Sequence, residues 1–119
     1  MDYVIHGERV VDGDASVLAA LTLYEMGSPN TARTLTGTER LHITDVLIMV
    51  ESAADVILVA DSEAAGRYIV SGGIAAGKPL VVQFRIPYIC AKATIPKFAG
   101  GGAQAGRSMC IIHGFIRES

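Results

Sequence analysis

From Arg40 onward, apolar residues fall in short runs rich in Val and Ile, separated by turn-forming residues. Residues 40–51 (RLHITDVLIMVE) hold Ile43, Val46, Ile48 and Val50, and residues 54–61 (ADVILVAD) follow a polar corner at Glu51-Ser52. Residues 67–74 (RYIVSGGI) end in a Gly pair that predicts a bulge or turn. Ala76-Gly77-Lys78 makes a turn into residues 79–86 (PLVVQFRI). Ile89, Ala91, Ala93 and Ile95 alternate through residues 88–99, and residues 108–117 (SMCIIHGFIR) complete the pattern. Val- and Ile-rich runs of this length, recurring about every 8 to 14 residues, predict an all-β sandwich or barrel.

Alternation indicates which faces are buried. In residues 79–86, Leu80, Val82 and Phe84 share one face while Val81, Gln83 and Arg85 share the other, one core side and one mostly wet side. Residues 46–50 (VLIMV) and 56–59 (VILV) are apolar at both parities. A strand greasy on both faces lies between two layers, and a sandwich supplies only one of them internally. The second face is therefore expected against another copy of the chain. The residues assigned to that contact are Val46, Ile48, Val50, Val56 and Leu58.

Residues 14–27 (DASVLAALTLYEMG) fit two patterns. As a helix, Asp14 or Ser16 caps it, Val17, Leu18, Leu21 and Tyr24 form its stripe, and Gly27 with Pro29 stops it. As a strand, Ala19, Leu21 and Leu23 share a face; this reading is favoured because the rest of the chain is consistently β. Residues 1–12 are expected to be an N-terminal edge strand or arm, whose Tyr3-Val4-Ile5 cluster adds to a neighbour's sheet. Residues 13–119 are then a single β-sandwich domain.

Composition sharpens the expectation of self-association. The chain has 119 residues, half of them apolar, and only 18% are charged. A domain this small has too little interior for so much apolar sequence, and uncovered apolar surface marks an interface. No apolar run approaches the ~18 residues of a membrane span, and the first residues lack the basic-then-apolar pattern of a secretory signal. A net charge of −2 with scattered Arg and Lys argues against nucleic acid as a partner. Cys90 and Cys110 sit in apolar runs and are read as reduced, structural thiols, although a bridge between neighbouring strands stays open.

No residue set stands out as catalytic, and no cofactor or metal is expected. His6, His42 and His113 lie in separate segments without metal-ligand spacing, although strands could bring His42 and His113 together. The Gly-rich residues 99–106 lead into a strand rather than a helix, so they make neither a P-loop nor a dinucleotide fingerprint. Asp45, Asp55 and Asp61 are not singled out as a carboxylate pair by any spacing. Ser52, Ser62, Ser71 and Ser108 lack a nucleophile-elbow context.

Leu21-Thr22-Leu23-Tyr24, residues 34–46 (TLTGTERLHITDV), residues 55–59 (DVILV), residues 65–68 (AGRY), residues 88–91 (YICA) and His113-Gly114-Phe115-Ile116 follow one another across about four-fifths of the chain. In strand pattern this resembles the small jelly-roll domains, TNF-like in architecture, that form trimeric head-decoration or cement proteins of tailed bacteriophages. The resemblance implies a jelly-roll β-sandwich of about eight antiparallel strands, three copies around an axis, and the major capsid protein as partner at a virion surface. Two other functions fit parts of the same pattern. One is a small ligand- or carbohydrate-binding sandwich; the other is a cupin-like metal enzyme built on His42 and His113.

Overall fold

The structure is a computed structural model that describes residues 3–12, 15, 17–26, 31–60, 68–100 and 106–118. Ten strands run through these residues: β1 (Tyr3–Asp12), β2 (Ala19–Ala20), β3 (Thr22–Glu25), β4 (Ala32–Arg33), β5 (Glu39–Val50), β6 (Ala54–Val59), β7 (Tyr68–Ile74), β8 (Leu80–Ile89), β9 (Lys97–Gly100) and β10 (Arg107–Glu118). They form two antiparallel sheets, β4-β3-β1-β10-β5-β8 and β2-β9-β6-β7. Among the described residues there is no helix, and residues 19–20 and 22–25 of the ambiguous segment are strands, with Leu21 and Leu23 buried.

The core lies between the sheets. Ile5, Leu23, Leu41, Ile43, Val46, Ile48, Val50, Cys110, Ile112 and Ile116 from the larger sheet meet Val56, Leu58, Val70, Ile74 and Phe98 from the smaller one. This overturns the assigned contact residues. Val46, Ile48, Val50, Val56 and Leu58 are all covered within one subunit. They belong to the parity that faces the opposite sheet, so they have no side left for a partner. The outward parity of the same β5 segment is Leu47 and Met49, which are only half-buried.

The N-terminal segment is a second correction. β1 is neither an arm nor an edge: it lies between β3 and β10 and pairs with β10 along its whole length, from Tyr3↔Ile116 to Asp12↔Arg107. Its inward positions Ile5 and Gly7 are buried, and the edges of this sheet are β4 and β8 instead. Residues 88–99 also divide differently from the alternation. β8 ends at Ile89, a turn follows in which Ala93 has φ 55°, and β9 begins at Lys97. The Gly pair of residues 72–73 lies inside β7, paired with Val56 and Asp55. Gly77 does make the expected turn, with φ 71° and its N–H donated to the Val50 carbonyl at 2.8 Å.

One polar device ties the β3–β4 hairpin to the start of β5. Arg33 donates from Nη1 and Nη2 to the buried Glu39 carboxylate at 3.1 and 2.7 Å, and from Nε to Glu25 at 2.6 Å. The Thr36 N–H donates to the same Glu39 at 2.9 Å. The Arg33 fork, then the Thr36 amide, hold the Glu39 carboxyl at about 2, against an ordinary 4.5. A depressed carboxylate stabilises the fold above its unfolded value and ceases to as pH falls through the folded one. Melting temperature is therefore expected to drop between pH 4.5 and 2. Glu39→Gln should cost on the order of 3 kcal/mol at neutral pH and flatten the acid limb of a pH–Tm series.

Candidate interaction face and its histidine pair

The outer face of the six-stranded sheet is built by the outward positions of β1, β10, β5 and β8. Val4, His6, Glu8 and Val10 in β1 oppose Phe115, His113, Ile111 and Met109 in β10. Those in turn oppose His42, Asp45, Leu47 and Met49 in β5, and Ile89, Gln83 and Val81 complete the rows from β8. Two largely apolar bands result: Val10, Met109, Met49, Ile111, Leu47 and Val81 on one side, and Val4, Phe115 and Ile89 on the other, with His42 between Phe115 and Ile89. Val4, Val81 and Ile89 are each more than half exposed, with Val10 at 44%. Between the bands runs a polar row, His6, His113, Asp45 and Gln83.

A bulge keeps both bands on one face. Asp45 opposes His113 but Ile43 opposes Gly114, so Thr44 is an extra residue in β5 and the parity of its inward positions changes from Leu41 and Ile43 to Val46, Ile48 and Val50. The Thr44 hydroxyl lies 2.9 Å from Asp45 Oδ2 and 3.1 Å from the His113 carbonyl oxygen, both acceptors. On the other side, residues 84–87 of β8 bow away between Gln83 and Tyr88, with Pro87 on an edge strand where no ladder N–H is needed.

His6 and His113 meet in the polar row. His6 Nδ1 is 3.1 Å from His113 Nε2, the ring centroids are 5.2 Å apart and the planes tilt by 48°. Glu8, two residues along β1 on the same face, sets its Oε1 3.3 Å from His6 Nε2. The pairing has a sequence signal: Ile-His-Gly occurs at residues 5–7 and again at 112–114, and in antiparallel register each Gly faces the other copy's Ile. A Cβ on Gly7 would come 2.7 Å from Ile112 Cγ1, so the repeat packs only because Gly stands opposite Ile.

His42 and His113 are not brought together. His42 opposes Phe115 and stacks on its ring at 4.7 Å, and the Arg117 guanidinium lies 4.9 Å from the centre of the same Phe115 ring. Asp45 neighbours His113, whereas Asp55 is in β6 of the other sheet, and Asp61 and Ser62 lie outside the described residues. Ser108 is buried opposite Val50, Ser71 is exposed on β7, and Ser52 follows β5. Cys90 and Cys110 are free and buried, and burial pushes both thiols up to about 12, so neither is a nucleophile at neutral pH. Among the described residues no group of three or more His, Cys, Asp or Glu is arranged to hold a metal, and no helix is long and apolar enough to cross a membrane. Residues 101–105 of the Gly-rich loop lie outside the described residues.

No protein-family model matches this chain, and no curated protein is recognisably similar to it.

Proposed function

We propose that the chain is a non-enzymatic structural protein that assembles with copies of itself through the outer face of its six-stranded sheet. The observation that carries this reading is the pair of apolar bands on that face. Val4, Val10, Val81 and Ile89 stand exposed beside half-buried Met49, Leu47, Met109, Ile111 and Phe115. An apolar surface contiguous across four strands is costly to leave in water, whereas scattered exposed residues are ordinary. A second copy is the occupant because the face is mixed in a self-complementary way, with apolar bands flanking a polar row that carries both His and carboxylate.

The finer reading is a homotrimeric jelly roll that decorates a capsid-like shell. Apart from the β3–β4 hairpin, β1, β10, β5 and β8 face β2, β9, β6 and β7, the strand order of a double Greek key, which supports it. Such a protein stabilises a shell by binding the assembled lattice in preference to its parts.

Light scattering on the purified chain tests the self-assembly, and a stable trimer is the expected mass. Val10→Asp with Val81→Asp should weaken association by about 100-fold while leaving the circular dichroism spectrum unchanged. A wild-type monomer at micromolar concentration overturns the proposal.

A further inference from the structure

The polar row contains more than a hydrogen bond. We propose that His6 and His113 form a two-histidine chelate for a divalent transition metal of the zinc, nickel or copper type, with Glu8 as the residue that orients it. Both imidazoles belong to one subunit, in the polar row of the face through which copies are proposed to meet.

Metal–imidazole bonds of about 2.0–2.1 Å, at angles from square-planar to tetrahedral, place two ligating nitrogens about 2.9–3.4 Å apart. His6 Nδ1 and His113 Nε2 are 3.1 Å apart, inside that range. The ring planes tilt by 48°, so the two imidazoles meet through these nitrogens and are not stacked face to face. Both are cross-strand neighbours on a paired sheet interior, so the backbone fixes their separation, and only side-chain torsions need adjust.

Glu8 supplies the second observation. A ligating His characteristically gives its other ring N–H to a carboxylate, which fixes the tautomer and raises the basicity of the metal-facing nitrogen. Glu8 Oε1 lies 3.3 Å from His6 Nε2, the nitrogen that faces away from His113. Holding the proton on Nε2 leaves the Nδ1 lone pair aimed at His113. His113 Nε2–H can then donate to that lone pair; binding requires His113 to carry its proton on Nδ1 and both rings to turn so that their lone pairs converge on an ion beside the line between the nitrogens, because bonds of about 2.0–2.1 Å do not fit within the 3.1 Å gap. Water completes the coordination, since no third His, Cys, Asp or Glu among the described residues is arranged with the pair to hold a metal. The charge of Glu8 and Asp45 around the pair favours a cation over an anion.

Titrating the chelator-stripped chain with Zn2+ by calorimetry, and with Cu2+ by electron paramagnetic resonance, tests the site. One ion per subunit is expected, with nitrogen hyperfine structure from two imidazoles. His6→Ala and His113→Ala should each weaken binding by at least about tenfold, and Glu8→Gln by about tenfold with both nitrogens retained. Circular dichroism confirms that each variant is folded; should His6→Ala unfold, His6→Gln replaces it. Absence of saturable binding below millimolar Zn2+, or affinity unchanged in either histidine variant, overturns the proposal. Light scattering on the chelator-stripped wild-type chain reads self-assembly separately, so a failed titration leaves that test standing.

Discussion

Gly114→Ala is expected to lower stability by about 3 kcal/mol or more, which corresponds to a fall in melting temperature of roughly 10 °C or more. A Cβ at this position would run into the His42 carbonyl oxygen, and would also lie 3.0 Å from the His42 carbonyl carbon and 3.1 Å from Ile43 Cα. All three are backbone atoms of β5, which is paired on one side by β10 and on the other by β8, so the strand cannot retreat without opening a ladder. Gly114 sits where the register steps past Thr44, and the step draws the β5 backbone over it. Against a typical total of about 5–15 kcal/mol, the loss is a large share. Two other glycines grade the effect. Gly7→Ala meets only side-chain atoms of Ile112 and Leu23, which can shift, and should cost about 1–3 kcal/mol. Gly37→Ala meets nothing within 4 Å and should fall within about 0.5 kcal/mol of wild type. Urea unfolding of the three variants measures the series. A Gly114→Ala midpoint equal to that of Gly37→Ala would mean the β5–β10 step is not as described.

The positions of β5, β6, β8 and β10 were legible because short Val- and Ile-rich runs with period-two patterning suit a strand and suit a helix poorly. Leu80, Val82 and Phe84 of β8 indeed pack against the core while Val81, Gln83 and Arg85 point outward. The turn at residues 90–96 was not legible. It contains no Gly or Asn, and Ala93 takes the left-handed conformation that those residues ordinarily mark. Nor was the location of β1, whose two neighbours, β3 and β10, are chosen by contacts across the fold and not by a local hairpin. The histidine pair was obscured for the same reason, since its residues are 107 positions apart. The Ile-His-Gly repeat was a usable signal, because a Gly opposite an Ile in antiparallel register is a packing solution that needs both copies.

Parity is where doubly apolar strands mislead most. Residues 46–50 signal that both faces of β5 meet apolar surroundings, but not which face belongs to which layer. The Thr44 bulge decides that by turning Val46, Ile48 and Val50 inward in continuation of Leu41 and Ile43. Were β5 to run regularly through Thr44 with no bulge, Leu47 and Met49 would continue the core side. The apolar pattern of β5 thus identifies a strand with two apolar faces but not which of them is the core side.

Neighbouring substitutions on β5 separate the two layers. Ile48→Asp is expected to leave no cooperatively folded protein. Ile48 is fully buried, flanked by Cys110 and Leu80 in the adjoining strands, and surrounded by the apolar core. A carboxylate there has no donor to meet, and the cost of burying it uncompensated exceeds what a domain of this size holds in reserve. Ile48→Ala, which leaves a cavity but no charge, should cost about 2–5 kcal/mol and retain a two-state transition. Leu47→Asp lies one residue away on the outer face, opposite Ile111 and Val81. It should remain folded, with a denaturation midpoint near that of wild-type monomer, while its mass by light scattering falls to that of one subunit. Near-ultraviolet circular dichroism and urea titration distinguish the outcomes. A well-folded Ile48→Asp chain would show that the inward parity is not the core, and an assembled Leu47→Asp chain would move the contact between copies off this face.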